Sequence, residues 1–263
     1  MTDDKAAPAL EALRRELDAI DSGLLALLAK RFSVSDQVKS FKQVTAKAAL
    51  SPLRPAREAQ IHRRILDAAA AQGVPAALAL KIWRAILSES SLRQTPITLH
   101  VSRRLSSTVG NRLRLRDHFP GMTVEEWKDE ATVLAQVDST PADIAAIEVD
   151  SQWIDAFIQG RAGNAQVIGV LPTSKEAEHP DMLIIGHAPQ EQTGSDETLL
   201  ITQGNLPRDF PVQPVWQIKS GPWRLSALGG FYSDQESPLV GLTRSNVSLG
   251  LKLAGRYPSA IEV

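Results

Sequence analysis

The chain has 263 residues, 29 basic against 30 acidic for a formal net charge of -1, and no cysteine. That balance speaks against a dedicated nucleic-acid or membrane-surface partner, and without thiols there are no disulfides, thiolate metal sites or cysteine nucleophiles. The N-terminal Met1-Thr2-Asp3-Asp4-Lys5 is unlike a secretory signal, and no apolar run approaches the roughly 20 residues that span a bilayer, so a cytoplasmic protein is expected.

The first 95 residues carry helical periodicity. Leu10, Leu13, Leu17, Ile20, Leu24, Leu27, Arg31, Val34, Val38 and Phe41 recur at alternating gaps of three and four, a heptad seam with one charge set into it. The spacing predicts a helix from about Pro8 to Lys42, about 50 Å long at roughly 1.5 Å per residue. So long a stripe cannot be buried within its own short domain and asks for a partner, most simply a second copy. After a loop at Thr45 to Pro52, a second helix opens near Arg54-Pro55 and ends at Gly73. A third opens at Pro75, carrying Leu78, Ile82, Trp83, Ile86 and Leu87. Its apolar face then runs into polar Ser90 and Gln94, each four residues on from the last.

Polar residues on or beside these faces form a set: Arg14, Arg31, Lys42, Arg57, Glu58, Ser90 and Gln94. Arg31 and Lys42, eleven residues apart, fall on nearly one face with Cα atoms roughly 16 Å apart. Both side chains could reach a ligand between them. Arg14 lies some 42 Å of straight helix from Lys42, so it can serve the same pocket only from a neighbouring antiparallel copy. Such a pocket suits a small polyanion: arginine forks match carboxylates and a lysine acts as a point donor. No carboxylate pair, histidine or cysteine stands ready for proton transfer, so the site is built to clamp and polarise. Singly, each residue has a plainer explanation. Arg14, Lys42 and Arg57 could be solvated charges, Arg31 a register-fixing polar residue in a seam, Glu58 a favourable charge in a first turn, and Ser90 with Gln94 a helix end.

The segments Leu13-Arg14, Ile20-Asp21-Ser22-Gly23-Leu24-Leu25-Ala26-Leu27-Leu28-Ala29-Lys30-Arg31, Val38 to Lys42, Arg54-Pro55-Ala56-Arg57-Glu58 and Ser88-Glu89-Ser90-Ser91-Leu92-Arg93-Gln94 resemble, in order, the all-helical (type II) chorismate mutase family. The resemblance covers residues 8–95. It implies an intertwined all-α homodimer that rearranges chorismate to prephenate without a metal or cofactor. Arg31 and the partner's Arg14 would hold the two carboxylates, Lys42 and Gln94 would donate to the ether oxygen, and Glu58 would accept the ring hydroxyl, with Arg57 and Ser90 completing the wall. Two departures from the family are Arg54, where an acidic residue is common, and a longer 45–52 loop. A related isochorismate pyruvate lyase on the same scaffold, and a non-enzymatic sensor of chorismate or an aromatic amino acid, are the alternative readings.

After Pro96 the grammar changes to short β-branched runs. Strands are expected at Ile97–Val101, Met122–Trp127, Ile144–Val149, Val167–Leu171, Met182–Ile185 and Thr198–Thr202. Helices are expected at Asn111–Phe119, Ala131–Val137 and Trp153–Gln159. A hairpin around Trp216 and Trp223 and a last strand within Leu249–Tyr257 follow, giving an α/β layer architecture. This half resembles a truncated, degenerate prephenate dehydratase followed by an ACT-like remnant. Ala142-Asp143-Ile144-Ala145-Ala146-Ile147-Glu148 looks like the dehydratase's ADYAVVPIEN stretch, while His179-Pro180-Asp181 stands where its Thr-Arg-Phe would be. Glu197 to Ile201 and Leu251 to Ser259 look like the first and last strands of an ACT module, without its GAL and ESRP motifs. The resemblance implies a half without dehydratase activity, structural or regulatory in role. His100, His118, His179 and His187 lack metal-ligand spacing, and Asn246-Val247-Ser248 is a glycosylation sequon without meaning in the cytoplasm. The expected organisation is thus α+β and multidomain: a mutase domain at 1–96, an α/β domain at 97–195 and an ACT-like remnant at 196–263, either separate from the domain before it or continuous with it.

Overall fold

The computed structural model describes the backbone of residues 3–44, 51–175, 177–245 and 247–262, and the side chains of 9–41, 51–175, 177–244 and 247–262. The loop expected at 45–52 lies largely outside the described residues, as do the side chain of Lys42 and Asn246 of the sequon. The chain divides into two units, 1–48 and 49–263.

The first unit is a single helix, α1 (Asp3–Val44), 42 residues long. It is rich in Ala, Leu, Arg and Lys, and Gly23 is its one interior glycine. The heptad seam is laid bare along it: Leu17 is 61% exposed and Phe41 71%, with Leu10, Leu13, Ile20, Leu24, Leu27, Val34 and Val38 also open.

The second unit begins with α2 (Pro55–Ala71) and α3 (Ala76–Leu92). Pro55 fills the first turn, where its missing N–H costs nothing. Gly73 closes α2 at φ +68°, with Val74 N donating to Ala69 O at 2.9 Å and Gly73 N to Ala70 O at 3.4 Å, the two bonds of a Schellman ending. Nine strands then build one mixed sheet: β1 (Thr98–Ser102), β2 (Thr123–Trp127), β3 (Ile144–Glu148), β4 (Gln166–Leu171), β5 (Met182–Gly186), β6 (Asp196–Gln203), β7 (Pro214–Ser220), β8 (Trp223–Gly229) and β9 (Lys252–Pro258). Their order is β2-β1-β3-β5-β4-β9-β6-β8-β7. β1 runs parallel to β2 and β3, and β4 to β9, while the other neighbours are antiparallel. The molecule is therefore α+β, a helical N-terminal region followed by a mixed-sheet region.

Helices α4 (Arg103–Ser107), α5 (Val109–His118), α6 (Glu130–Ser139) and α7 (Ile154–Ile158) fill the crossovers. Asp129 caps α6, its Oδ1 accepting from Thr132 N at 2.8 Å. The sheet's two faces carry separate cores, and β3 feeds both: Ala145 and Ile147 join Val133, Leu134, Trp153 and Phe157, whereas Ile144 and Ala146 join Leu53, Leu99, Leu105 and Leu115. Strands β6 to β9, with α8 (Leu239–Ser245) before the last, have the connectivity of a ferredoxin-like unit lacking its first helix. Residues 204–213 make that crossover without helix, and Leu206, Phe210 and Val212 cover the sheet beside Leu239 and Leu242 of α8. β4 meets β9 at one register pair, Val167 with Gly255. A Cβ on Gly255 would stand 2.1 Å from Val167 O, so only glycine permits the approach.

Candidate active site

In the first unit, Arg14 and Arg31 are held on one rigid helix, seventeen residues or about 26 Å apart. Arg14 is exposed and its Nη1 bonds Glu11 Oε1 at 2.6 Å, a surface pair one turn away. Arg31 is half-buried in the seam, and that burial lowers its pKa; the Ser35 hydroxyl donates to its carbonyl at 3.3 Å. Lys42 lies on the same helix, two residues before its end.

In the second unit, Arg57 and Glu58 occupy the first turn of α2 and point differently. Arg57 is exposed. Glu58 turns inward and lines a small cavity of about 80 Å³ with His62, His118, Phe119, Ile168 and Ala260. Arg84 of α3 closes the neighbouring space beside Glu58, His62 and His118. Burial raises the Glu58 carboxyl's pKa, opposed by the backbone amide of Arg54, which donates to the carboxyl. The same burial, with the positive charge of Arg84, pushes His62 down to about 4. His118 falls to about 3 from burial, Arg84 and His62 together. Both imidazoles are thus held neutral at neutral pH, and His62 Nε2 is buried without a hydrogen-bond partner among the described residues.

At the end of α3, Ser90 and Gln94 turn to their own helix. The Ser90 hydroxyl donates to Ile86 O at 2.7 Å, and Gln94 Nε2 donates to Ser90 O at 3.1 Å. Arg54, the departure from the family pattern, pairs with Glu191 in the loop before β6. Of the seven residues the sequence singled out, the second unit brings Arg57 with Glu58 and Ser90 with Gln94, and the first aligns Arg14, Arg31 and Lys42 along one helix. Sequence reasoning missed His62, Arg84 and His118. His62, four residues after Glu58 on one helical face, was the available signal. Among the described residues, no group of three or more His, Asp or Glu side chains is arranged to hold a metal, and no helix is long and apolar enough to cross a membrane.

Residues 13–95 match the family model of chorismate mutase type II. That span holds every one of the seven residues. Among solved structures, the chain is similar to GqqA, described as a novel type of quorum quenching acylase, at 14% identity over 62% of this chain and 95% of that one, with a TM-score of 0.42. It is similar to prephenate dehydratase from Streptococcus mutans at 13% identity over 64% and 100% of the two chains, TM-score 0.36. A third is the prephenate dehydratase from Arthrobacter aurescens in complex with L-Phe, at 11% identity over 62% and 90%, TM-score 0.33. No curated protein matches the chain in sequence.

Proposed function

We propose that residues 1–96 work as a chorismate mutase module, converting chorismate to prephenate in phenylalanine and tyrosine biosynthesis. The observation that carries this reading is the family match across 13–95, within which the whole clamp-and-polarise set falls. The reaction is a pericyclic rearrangement, so positioning and charge stabilisation supply the rate without nucleophile or cofactor. Arg31 fixes one carboxylate of the substrate in bidentate fashion, and the partner's Arg14 fixes the other. Lys42 and the amide of Gln94 donate to the ether oxygen as the C–O bond breaks and charge gathers there. Glu58 accepts the ring hydroxyl, with Arg57 and Ser90 completing the wall. The exposed seam of α1 supports the homodimer this needs, since two antiparallel copies cover each other's stripe and bring each Arg14 to the other copy's Lys42 end.

The second half, 97–195 with the ACT-like remnant 196–263, is a structural or regulatory partner of that module and has no dehydratase activity. His179-Pro180-Asp181 in place of a catalytic threonine supports this, as does the missing first helix in the β6–β9 unit. Nothing in the reading calls for nucleic acid or membrane, and the protein works in the cytoplasm.

The test is turnover of chorismate by wild type and Lys42→Ala. Loss of an electrostatic donor to the transition state is expected to lower kcat by about 10² or more. Full turnover by Lys42→Ala contradicts the assignment.

A further inference from the structure

After the single β4–β9 pair the two strands part. Residues 259–262 run on beside 172–175, with Ile261 N donating to Thr173 O at 2.7 Å and Lys175 N to Ile261 O at 3.1 Å. Between this strap, α2 and the starts of β6 and β7 lies a cleft of about 520 Å³, a volume typical of small-molecule sites. Glu197 lines it and is only 8% exposed. Its Oε2 accepts from Trp216 Nε1 and from the Tyr257 hydroxyl, each at 2.9 Å.

Both of those donors are neutral, and Glu197 has no ion-pair partner among the described residues. Its Oε1 accepts no hydrogen bond among the described residues, yet it is not sealed from solvent. A buried carboxylate without a countercharge is costly. Of the basic side chains around the cleft, Arg63 is engaged and Lys175 is an exposed one at the rim. Arg63 donates to Thr193 Oγ1 at 3.0 Å and Ser195 O at 2.9 Å, and Lys175 stands 3.9 Å from Glu262. Asp67 and Glu178 add negative charge at the exposed rim. The Tyr257 hydroxyl is pushed well above its ordinary pKa by burial and by the Glu197 carboxylate beside it.

We propose that this cleft binds a small organic ammonium ion, its –NH3+ on Glu197 Oε1 and its apolar body against Trp216, Val170 and Ile261. One open oxygen suits an ammonium, a point donor, better than a guanidinium, whose fork needs both carboxylate oxygens. The absence of a three-ligand group among the described residues argues against a metal ion. An amino acid is disfavoured against a plain amine, because its carboxylate meets Glu197, Asp67 and Glu178 and finds Arg63 already engaged. The proposal is independent of the mutase reading.

The experiment is calorimetric titration of the full chain with 2-phenylethylamine, 2-phenylethanol, 3-phenylpropionate and L-phenylalanine, with tryptophan fluorescence as a second readout. The amine is expected to bind at least about tenfold more tightly than the other three. Glu197→Gln, which keeps an acceptor for Trp216 and Tyr257, is expected to remove that preference. Ala260→Phe, which fills the cleft and leaves Glu197 in place, is expected to abolish binding and serves if the first variant does not fold. Equal affinity for amine and alcohol, tighter binding of L-phenylalanine, amine binding unchanged in either folded variant, or no binding at millimolar amine overturns the proposal.

Discussion

At the scale of single residues, the titratable groups packed around α2 give the sharpest expectations. Burial raises the pKa of Glu58, and the proposed role requires its carboxylate form as acceptor. Activity is therefore expected to fall on the acid side as Glu58 takes up its proton, and Glu58→Gln to remove that limb of the kcat/KM–pH profile; an unchanged limb in the variant contradicts the role. His62 and His118 work in the opposite sense. Their folded pKa values, about 4 and about 3, lie below the ordinary value of about 6.5 kept by the unfolded chain. As pH falls below about 6.5 the unfolded state takes up protons that the folded state refuses, so stability present above that value is lost toward pH 4. Urea unfolding at about pH 7.5 and pH 5 should show a smaller acid loss in His62→Gln than in wild type, and equal losses contradict it. Helical spacing identified which polar residues stand on α2 and α3. It could not show that Arg84 and His118 converge on Glu58, because that convergence is made by tertiary packing between separate helices.

At the scale of elements, periodicity carried the reading a long way. All three N-terminal helices lie where apolar spacing and proline or glycine punctuation put them, and Gly73 ends α2 in the left-handed conformation expected of a helix stop. The runs after Pro96 are strands and helices within a few residues of their expected bounds. Strand direction was not legible: β4 and β5 run antiparallel, joined by residues 172–181 without a helix among the described residues, and the sheet is mixed. The short α4 and α8, five and seven residues of Ser-, Thr- and Gly-bearing sequence, gave no periodic signal. Two elements carry predictions. Gly255→Ala drives a methyl into the Val167 backbone and should destabilise the protein by about 2 kcal/mol, read from its thermal or urea midpoint, by parting β4 from β9; a neutral effect contradicts that contact. On α1, Leu17→Glu with Leu24→Glu puts charge into the bare seam. Sedimentation is expected to show a shift from dimer to monomer and mutase activity to fall with it, whereas an unchanged assembly contradicts the seam as the dimer contact.

At the scale of the whole molecule, α2 and α3 are bound into the sheet-bearing unit. Arg84 Nη1 donates to Asp117 Oδ2 at 3.1 Å and its Nη2 to Thr173 Oγ1 at 2.8 Å. The Ser88 hydroxyl donates to Pro120 O at 2.7 Å, and Arg63 reaches the loop before β6. Four of the seven proposed site residues, Arg57, Glu58, Ser90 and Gln94, therefore stand on or just after helices held by the second half, giving that half a supporting role even without chemistry of its own. The most direct measurement is a time course of the full-length protein with chorismate, following ultraviolet loss of substrate and identifying the product before acid treatment. The account predicts prephenate as the product, with no phenylpyruvate accumulating. No loss of chorismate, or its conversion to anything other than prephenate, would contradict the central claim.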